Sequence, residues 1–341
     1  MPKQRLNNVS ILLAGDVGAT KTNFALFDVQ AIVRELSEAR TFQNENYASF
    51  DNLLKEYLAE IAVVPQALSL GVAGPVNDGQ VRFTNRQWTL DSRHLQSNFS
   101  FSHVWLLNDL KATAQAVPLL GSEDLQVLKV GQPDPAGSIA LIAPGTGLGE
   151  AYLTVRDGEY RAHASEGGHS DFAPRNELQD ELLQYLRQQY EHVSYEQVCS
   201  GIGLPNIYNF LRDAGHAEEP AWLLHLFGQA KDPTAIIVEA ALDLEKKSII
   251  CQMTLDIFIE ILAAETGNLA LKVGASGGVY IGGGIPPRIL TPLSNGSFER
   301  HFVAKGQYRD YLERIPVQVV LNPQTALLGA ADYGLRKLQL K

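Results

Sequence analysis

The sequence predicts a two-domain α/β protein. Three observations lead there. The chain has 341 residues, and at ~150 residues per domain that is about two domains. Runs of strand character alternate with runs at helical spacing. A strand, a glycine-rich turn and a second strand also occur together twice, at residues 13–27 and 141–155. Hydrophobic residues make up 45% and charged residues 19%. That balance suits a folded globular chain, and no low-complexity tract or heptad array argues otherwise.

The elements follow in order. Residues 10–15 read as a buried strand, 23–28 as its partner across a tight turn, and 33–42 as a further extended run. Leu53, Leu54, Tyr57, Leu58 and Ile61 fall on one helical face. Residues 67–72 form a buried strand ending near Gly71 and Gly74-Pro75. Residues 76–83 read as a hairpin through Asn77-Asp78-Gly79, because Asp-Gly tolerates the left-handed backbone that such turns need. Residues 104–107 are a strand, and Asn108-Asp109 opens a helix marked by Leu110, Ala114 and Val117. After Pro118 comes a turn-rich crossover with Gly131, Pro133, Pro135 and Gly137. A second meander follows: 138–143, a glycine turn, 151–155, the Asp157-Gly158 turn and 160–164. Leu178, Leu182, Leu186 and Tyr190 mark one helix; Ile249, Met253, Ile257, Ile261 and Leu262 mark a long one. Strands at 279–281 and 317–321 and a helix over 325–338 complete the chain.

Composition limits function. The net charge of −10 excludes a broad basic surface for nucleic acid. An anionic ligand must therefore be held by local backbone groups, a helix terminus or a metal. Cys199 and Cys251 are the only cysteines, too few and too far apart for a disulfide framework or a cysteine zinc site, and they suit a reducing cytosol. Lys3 and Arg5 precede residues 11–15, but that apolar run is too short for a signal segment and Asp16 ends it. No run approaches the ~18 apolar residues of a membrane span.

The first turn reads Gly15-Asp16-Val17-Gly18-Ala19-Thr20-Lys21-Thr22-Asn23. Its glycines admit close backbone approach to a phosphate, and the Thr20 and Thr22 hydroxyls can donate to it. Asp16 suits Mg²⁺, which keeps its waters and takes few carboxylates. No Walker loop is present, because no Gly-Lys-Ser/Thr follows at the required spacing. The second turn is Pro144-Gly145-Thr146-Gly147-Leu148-Gly149. Its alternating glycines lack the final two-residue gap of a dinucleotide fingerprint, and the strand that follows stands where the fingerprint needs a helix. A phosphate-holding hairpin fits better. A third cluster, Gly282-Gly283-Gly284, ends a strand. It offers bare backbone to a flat ring, or simply opens the helical entry before Ile285-Pro286-Pro287. Two such hairpins could clamp a polyphosphate between two domains; as a bare pattern they are also compatible with two unrelated β-hairpins.

Asp109 stands at a strand-to-helix junction, where capping is one explanation and chemistry another. Glu166-Gly167-Gly168-His169-Ser170-Asp171 brings an acid and an imidazole into one compact turn. As zinc ligands they lack partners nearby, whereas a polyol suits them, because carboxylates accept from hydroxyls and the imidazole adds a donor or acceptor. Glu196 adds an acid near a helix end, a position that an exposed first turn also explains. No Ser-His-Asp or Cys-His spacing supports a covalent nucleophile.

These residues resemble the bacterial ATP-dependent glucokinases of the actin–hexokinase–heat-shock ATPase superfamily. The matches run through Gly15-Asp16-Val17-Gly18-Ala19-Thr20, Thr84-Asn85-Arg86-Gln87-Trp88, Leu107-Asn108-Asp109, Gly145-Thr146-Gly147-Leu148-Gly149, Glu166-Gly167-Gly168-His169-Ser170-Asp171-Phe172-Ala173-Pro174, Ser200-Gly201-Ile202-Gly203-Leu204 and Gly277-Gly278-Val279-Tyr280-Ile281-Gly282-Gly283-Gly284-Ile285. They span nearly the whole chain. Singly the glycine turns are weak signals; the Glu-Gly-Gly-His run in this company is specific.

The resemblance implies a two-domain actin-like (ribonuclease H-like) ATPase fold, with nucleotide and sugar in the interdomain cleft. A small domain over 1–108 plus 322–341 and a large one over 109–321 are expected. It implies transfer of the γ-phosphoryl group of Mg·ATP to the 6-hydroxyl of D-glucose. Gly15, Asp16, Val17, Gly18, Ala19 and Thr20 match the first phosphate segment, Gly145, Thr146, Gly147 and Gly149 the second, and Gly283 and Gly284 the adenosine segment. Asp16 is the expected Mg²⁺ contact. Asn85, Asn108, Glu166, His169 and Glu196 match sugar contacts, and Asp109 matches the catalytic base. The family implies a cytoplasmic enzyme, commonly a homodimer, with neither nucleic acid nor membrane as partner. Three positions depart from it: Ala19 and Ser165 stand where glycine is usual, and Ile202 where proline is common. A chaperone-like or filament ATPase would share the hairpins without needing the sugar set. A sugar-sensing regulator would need a DNA-binding helix pair ahead of Ile11. ROK-type kinases carry a cysteine-rich zinc motif that two distant cysteines cannot supply.

Overall fold

The computed structural model describes residues 10–30, 36–83, 87–230, 232–243 and 245–339. The segment with Lys3 and Arg5, the start of the expected third strand at Val33, and Asn85 with its neighbours Thr84 and Arg86 lie outside the described residues. The chain divides into two units. One comprises Met1–Leu120, Tyr160–Ala164 and Asn322–Lys341; the other comprises Gly121–Glu159 and Ser165–Leu321.

In the first unit, β1 (Ile11–Val17), β2 (Lys21–Asp28) and β3 (Ser37–Gln43) form a meander. It is followed by α1 (Phe50–Glu60), β4 (Ala67–Val72), β5 (Gln80–Arg82), β6 (Thr89–Asp91), α2 (Ser92–Phe99), β7 (His103–Asn108) and α3 (Asp109–Ala116). The sheet runs β3-β2-β1-β4-β7, with β1 antiparallel to β2 and parallel to β4, and β4 parallel to β7. Every residue of β4 is buried, as a parallel strand covered on both faces requires. The alternation of side chains divides two cores. Leu13, Phe24, Leu68 and Leu70 meet Leu53, Leu54 and Tyr57 of α1. Leu12, Ala14, Ala25 and Ala67 meet Leu327, Ala331 and Leu335 of the C-terminal helix (Thr325–Gln339). Each such large side chain, once buried, contributes ~1.5–3 kcal/mol. The C-terminal helix sits very close. A Cβ on Gly329 would lie 1.7 Å from the Ala112 carbonyl oxygen, and one on Gly334 would lie 2.8 Å from Leu12 Cδ2. Ser69 Oγ donates to the Ala330 carbonyl at 2.6 Å, so the buried hydroxyl is satisfied.

In the second unit, β8 (Leu125–Lys129), β9 (Ile139–Pro144) and β10 (Leu148–Arg156) come first; β11 (Glu159–Ser165) follows in sequence, with its residues Tyr160–Ala164 belonging to the first unit. Then come α4 (Glu177–Leu186), α5 (Gly203–Asp213), α6 (Ala221–Phe227), α7 (Pro233–Leu242), α8 (Ile249–Val273), β12 (Gly278–Ile281) and β13 (Val317–Val320). Its strands run β10-β9-β12-β13-β8. Antiparallel β10-β9 followed by parallel β12 and β13 reproduces the β2-β1-β4-β7 pattern of the first unit. The repeated strand–turn–strand unit is thus the opening hairpin of each sheet. Helix α8 starts at Ser248, whose hydroxyl accepts from Cys251 N, and stops at Gly274, where φ is +62°. It is buried on most sides, among α5, α7 and β9.

Several boundaries differ from the sequence reading. The first turn is shorter than Gly15–Asn23 suggests, because β1 stays paired with β4 through Val17. Asp78 and Gly79 are both left-handed, at φ +48° and +76°, and Asn77 and Gln80 exchange backbone hydrogen bonds, as the Asp-Gly turn predicts. Across the turn the pairing is limited to the Asn77–Gln80 bridge, and the strand that follows pairs with β6. Asp157 and Gly158 make a second turn of this kind, at φ +56° and +78°. The helix at Leu178 ends at Leu186, short of Tyr190. Strand β8 lies inside the expected crossover. It is half exposed and owes its conformation to pairing with β13, which no local pattern announces.

Candidate functional site

In the first unit the ends of three parallel strands are level: Val17 pairs with Val72, and Val72 with Asn108. Ligands of open α/β sheets gather beyond such carboxyl ends. The turn after β1 is held from beneath. Gly18 N donates to Lys21 O at 3.0 Å. Asn44, wholly buried, donates Nδ2 to Gly18 O at 2.9 Å and its backbone N to Thr20 O at 2.8 Å, while Thr22 Oγ1 donates to its Oδ1 at 2.7 Å. Sequence reading missed Asn44; a lone polar residue in Asn-Glu-Asn carries no local signal. Ala19 and Thr20 are exposed on the turn, and Val17 is buried. Gly15 also packs against the core: a Cβ there would lie 2.7 Å from Leu70 and Phe24.

Asp16 is the acid of this end. Asn23 Nδ2 donates to its Oδ2 at 3.3 Å. Burial pushes its carboxyl up, against that hydrogen bond and Lys21. Among the described residues no group of three or more His, Cys, Asp or Glu gathers as a metal cage. A single carboxylate beside a phosphate-sized turn fits Mg²⁺, which binds one or two carboxylates and keeps its waters.

At the end of β7 the cap and the acid are two different residues. Asn108 is the N-cap of α3: its Oδ1 accepts from Lys111 N at 3.1 Å, and its Nδ2 donates to Gly74 O at 3.3 Å. Asp109 is the first helical residue and half-buried; its Oδ1 accepts from Leu110 N at 2.9 Å. The N-cap is therefore Asn108, while the Asp109 carboxylate stands one residue further on and takes the Leu110 amide of the same first turn.

In the second unit β9, β12 and β13 end together, with Ile142 level with Ile281 and Ile281 with Val319. The turn after β9 is closed by Gly145 N donating to Gly147 O at 2.9 Å, and Gly201 N donates to Gly145 O at 2.7 Å. Nothing lies within 4 Å of a Cβ built on Gly145 or Gly284. Gly283 adopts φ +85°, and a Cβ on it would lie 2.3 Å from the Pro144 carbonyl oxygen, so this strand end requires glycine. Gly149 lies within β10, opposite Ala143. A cavity of about 350 Å³ opens here, lined by Gly145, Thr146, Gly201, Gly284, Ile285 and Arg288 together with Ile202, Asp232 and Thr234. A cavity with bare backbone and few charges suits a heterocycle and its phosphates. Asp232, Thr234 and Arg288 were not legible as site residues, since they come from separate elements.

The Glu166 loop lies on β10. Gly167–His169 is one 3-10 turn, closed by His169 N donating to Glu166 O at 3.0 Å. Gly168 is forced by a backbone contact, and Gly167 faces a side-chain end. A Cβ on Gly168 would lie 2.1 Å from the Leu148 carbonyl oxygen, and one on Gly167 would lie 1.9 Å from Glu150 Oε2. Ser165 Oγ accepts from Gly167 N at 3.0 Å, so this departure from the family pattern adds a hydrogen bond to the loop. Residues 170–172 pair with 193–195 through Phe172 N to Val193 O and Tyr195 N to Ser170 O, both at 3.0 Å. That pairing brings Glu196 Oε1 to 3.9 Å from His169 Nδ1. Glu166 and His169 are exposed and Glu196 is half-buried. Glu196 and His169 thus meet, and Glu166 opens the same turn, a donor and acceptor set fit for a polyol. Among the described residues no helix is long and apolar enough to cross a membrane.

Comparison with known proteins adds the following. The family model described as Glucokinase matches residues 13–337. The glucokinase of Nostoc punctiforme is 39% identical over 346 residues, covering 96% of this chain and 100% of that protein. The crystal structure of a glucokinase from an Antarctic psychrotroph superposes with a TM-score of 0.80 at 32% identity, over 96% of this chain and 99% of that one. A ROK family glucokinase from Streptomyces griseus, in complex with glucose and AMPPNP, is similar in fold alone, with a TM-score of 0.63 at 20% identity over 96% of this chain and 99% of that one. The fold is the two-domain actin-like ATPase fold.

Proposed function

The chain belongs to the glucokinase family, and we propose that it is itself a glucokinase: it transfers the γ-phosphoryl group of ATP to the 6-hydroxyl of D-glucose, giving glucose 6-phosphate and ADP. The observation that carries this function is the turn Glu166-Gly167-Gly168-His169 with Glu196 at 3.9 Å from His169. An ATPase without a sugar substrate has no use for that set. Glucose hydroxyls would donate to the carboxylates of Glu166 and Glu196, while His169, Asn108 and Asn85 would add further contacts. An epimer leaves one of these groups unpaired, which is the physical basis of discrimination.

Asp109 takes the proton of the attacking hydroxyl. Phosphoryl transition states are loose, so positioning and charge stabilisation carry most of the rate, and the base needs reach more than an elevated pKa. Backbone N–H groups of the turns at Gly18–Thr20 and Gly145–Gly147 would face the phosphates, with Gly283 and Gly284 beside the adenosine. Mg²⁺, when bound at Asp16, offsets phosphate charge, which a chain of net charge −10 cannot do broadly. The AMPPNP and glucose named with the Streptomyces griseus kinase support this pair of ligands. A cytoplasmic homodimer with no nucleic-acid or membrane partner completes the proposal. The acidic charge and two buried free cysteines support the setting, and light scattering tests the dimer.

A coupled assay with Mg·ATP and glucose, mannose, fructose or N-acetylglucosamine tests the function. Glucose is expected to give the highest kcat/KM. ATP hydrolysis indifferent to every sugar would overturn it.

A further inference from the structure

Beneath the Glu166 loop lies an acid with no part in the chemistry above. Glu150, on β10, is 1% exposed, and its Oε1 has no hydrogen-bond partner among the described residues. Its Oε2 fills the space beside Gly167, 1.9 Å from where a Cβ would stand. Glu265 of α8, 0% exposed, meets the Glu150 carboxyl. Two ionised carboxylates in contact repel and have no proton to share; a single proton turns that contact into a hydrogen bond. Glu265 already has its counter-charge and donor, with Lys272 Nζ at 3.2 Å and Asn268 Nδ2 at 2.7 Å. Glu150, which lacks such partners, is therefore the member that carries the proton.

We propose that Glu150 is a positioning residue for the sugar site: by sharing a proton with Glu265 it seats the Gly167–Gly168 backbone and so fixes Glu166 and His169. The assignment rests on Glu166 and His169 being glucose contacts. Burial, then the charge of Glu265, pushes the Glu150 carboxyl up to about 8, against Lys272. Loss of its proton places a second charge under the loop and releases it. Other groups face this pair. Tyr195 meets Glu265 through its hydroxyl, and burial pushes that phenol up. Burial and both acids push the Cys199 thiol up. Lys305 donates to Asn268 Oδ1, and burial followed by Arg175 pushes its ammonium down to about 8. Lys305 thus titrates in the same range, and variants must separate the two.

The test is glucose KM and kcat between about pH 6 and 9.5 for wild type, Glu150→Gln, Glu150→Ala and Lys305→Met. In the wild type glucose KM is expected to rise ~10-fold from neutral to alkaline pH while ATP KM stays flat. Glu150→Gln, which keeps a neutral donor toward Glu265, holds glucose KM within about threefold at pH 7 and loses the alkaline rise. Glu150→Ala raises KM ~10-fold at every pH, and Lys305→Met keeps the rise. An alkaline rise retained in Glu150→Gln overturns the proposal even if Glu150→Ala fails to fold. Infrared spectroscopy supplies a readout independent of activity. The wild type at pH 7 shows a protonated-carboxyl band that Glu150→Gln lacks, and its absence from the wild type also overturns the proposal. A wild type that ignores glucose sinks the sugar assignment itself, with the infrared band still testing the shared proton.

Discussion

Glu196 accepts a hydrogen bond from the backbone N–H of Leu148 at 3.0 Å, and its carboxylate occupies the space beneath Gly147. A candidate sugar contact thereby braces the turn proposed to face phosphate. Glu196→Gln is expected to raise both glucose KM and ATP KM, each ~10-fold, because it weakens a charge-assisted bond as well as a sugar contact. Glu166→Gln, which touches only the sugar loop, should raise glucose KM alone. Two-substrate kinetics on both variants checks this; an unchanged ATP KM in Glu196→Gln would show that the brace has no functional weight.

Asp109→Ala is expected to lower kcat by ~10²-fold or more with ATP binding retained. The Asn108 cap stays in place, so the helix should persist, with the lost Leu110 N–H partner read as a small drop in melting temperature. Nucleotide titration and steady-state rates on the folded variant decide the matter. Near-normal turnover removes Asp109 from the role of base.

Gly168→Ala places a methyl 2.1 Å from the Leu148 carbonyl oxygen, a backbone atom that cannot swing aside. Overpacking of this kind costs ~1–3 kcal/mol. Thermal denaturation should show the loss, and glucose KM should rise as the loop lifts. A variant as stable as wild type with unchanged KM contradicts the tight seat.

Asn44→Ala removes the side-chain donor to Gly18 O and the acceptor for Thr22 Oγ1, leaving buried polar atoms unpaired. Each such atom costs ~1–3 kcal/mol. Since Asn44 lies under the first turn, ATP KM is expected to rise more than glucose KM. An effect on stability alone would confine Asn44 to folding.

Stability should depend on pH with two opposed limbs. Glu150 is pushed up from 4.5 to about 8 on folding, so its contribution is complete below 4.5 and lost as pH rises toward about 8. Lys305 is pushed down from 10.5 to about 8, so its contribution is complete above 10.5 and lost as pH falls through about 8. Melting temperatures across this range should decline and then recover. Glu150→Gln should flatten the first limb and spare the second; a decline that survives in that variant assigns it to another group.

Much of this was legible in the chain. The two glycine hairpins, the Asp-Gly turns and the long helix from Ile249 follow local rules of backbone freedom and hydrophobic spacing, and they fold as those rules demand. The compact Glu166–His169 turn was legible for the same reason. The reason for its glycines was not, because Leu148 and Glu150 lie far off in sequence and meet the loop only through the fold. Asn44, Glu265 and the cavity residues Asp232, Thr234 and Arg288 were invisible for the same cause. Gly15 shows the converse. It sits in a phosphate-type motif, yet Leu70 and Phe24 explain why a side chain is barred there.

The helix Thr325–Gln339 carries Gly329 against Ala112 and Gly334 against Leu12 and Ser69. On the ribosome, β1 and β4 emerge long before that helix is made, and one apolar face of their sheet stays bare until residues 325–339 follow. The unit built from residues 121–159 and 165–321 has no such wait. Nascent chains stalled ahead of Thr325 should therefore show a protease-resistant second unit beside a still-digestible first one, and chaperones that bind exposed leucine and phenylalanine should engage the amino-terminal sheet.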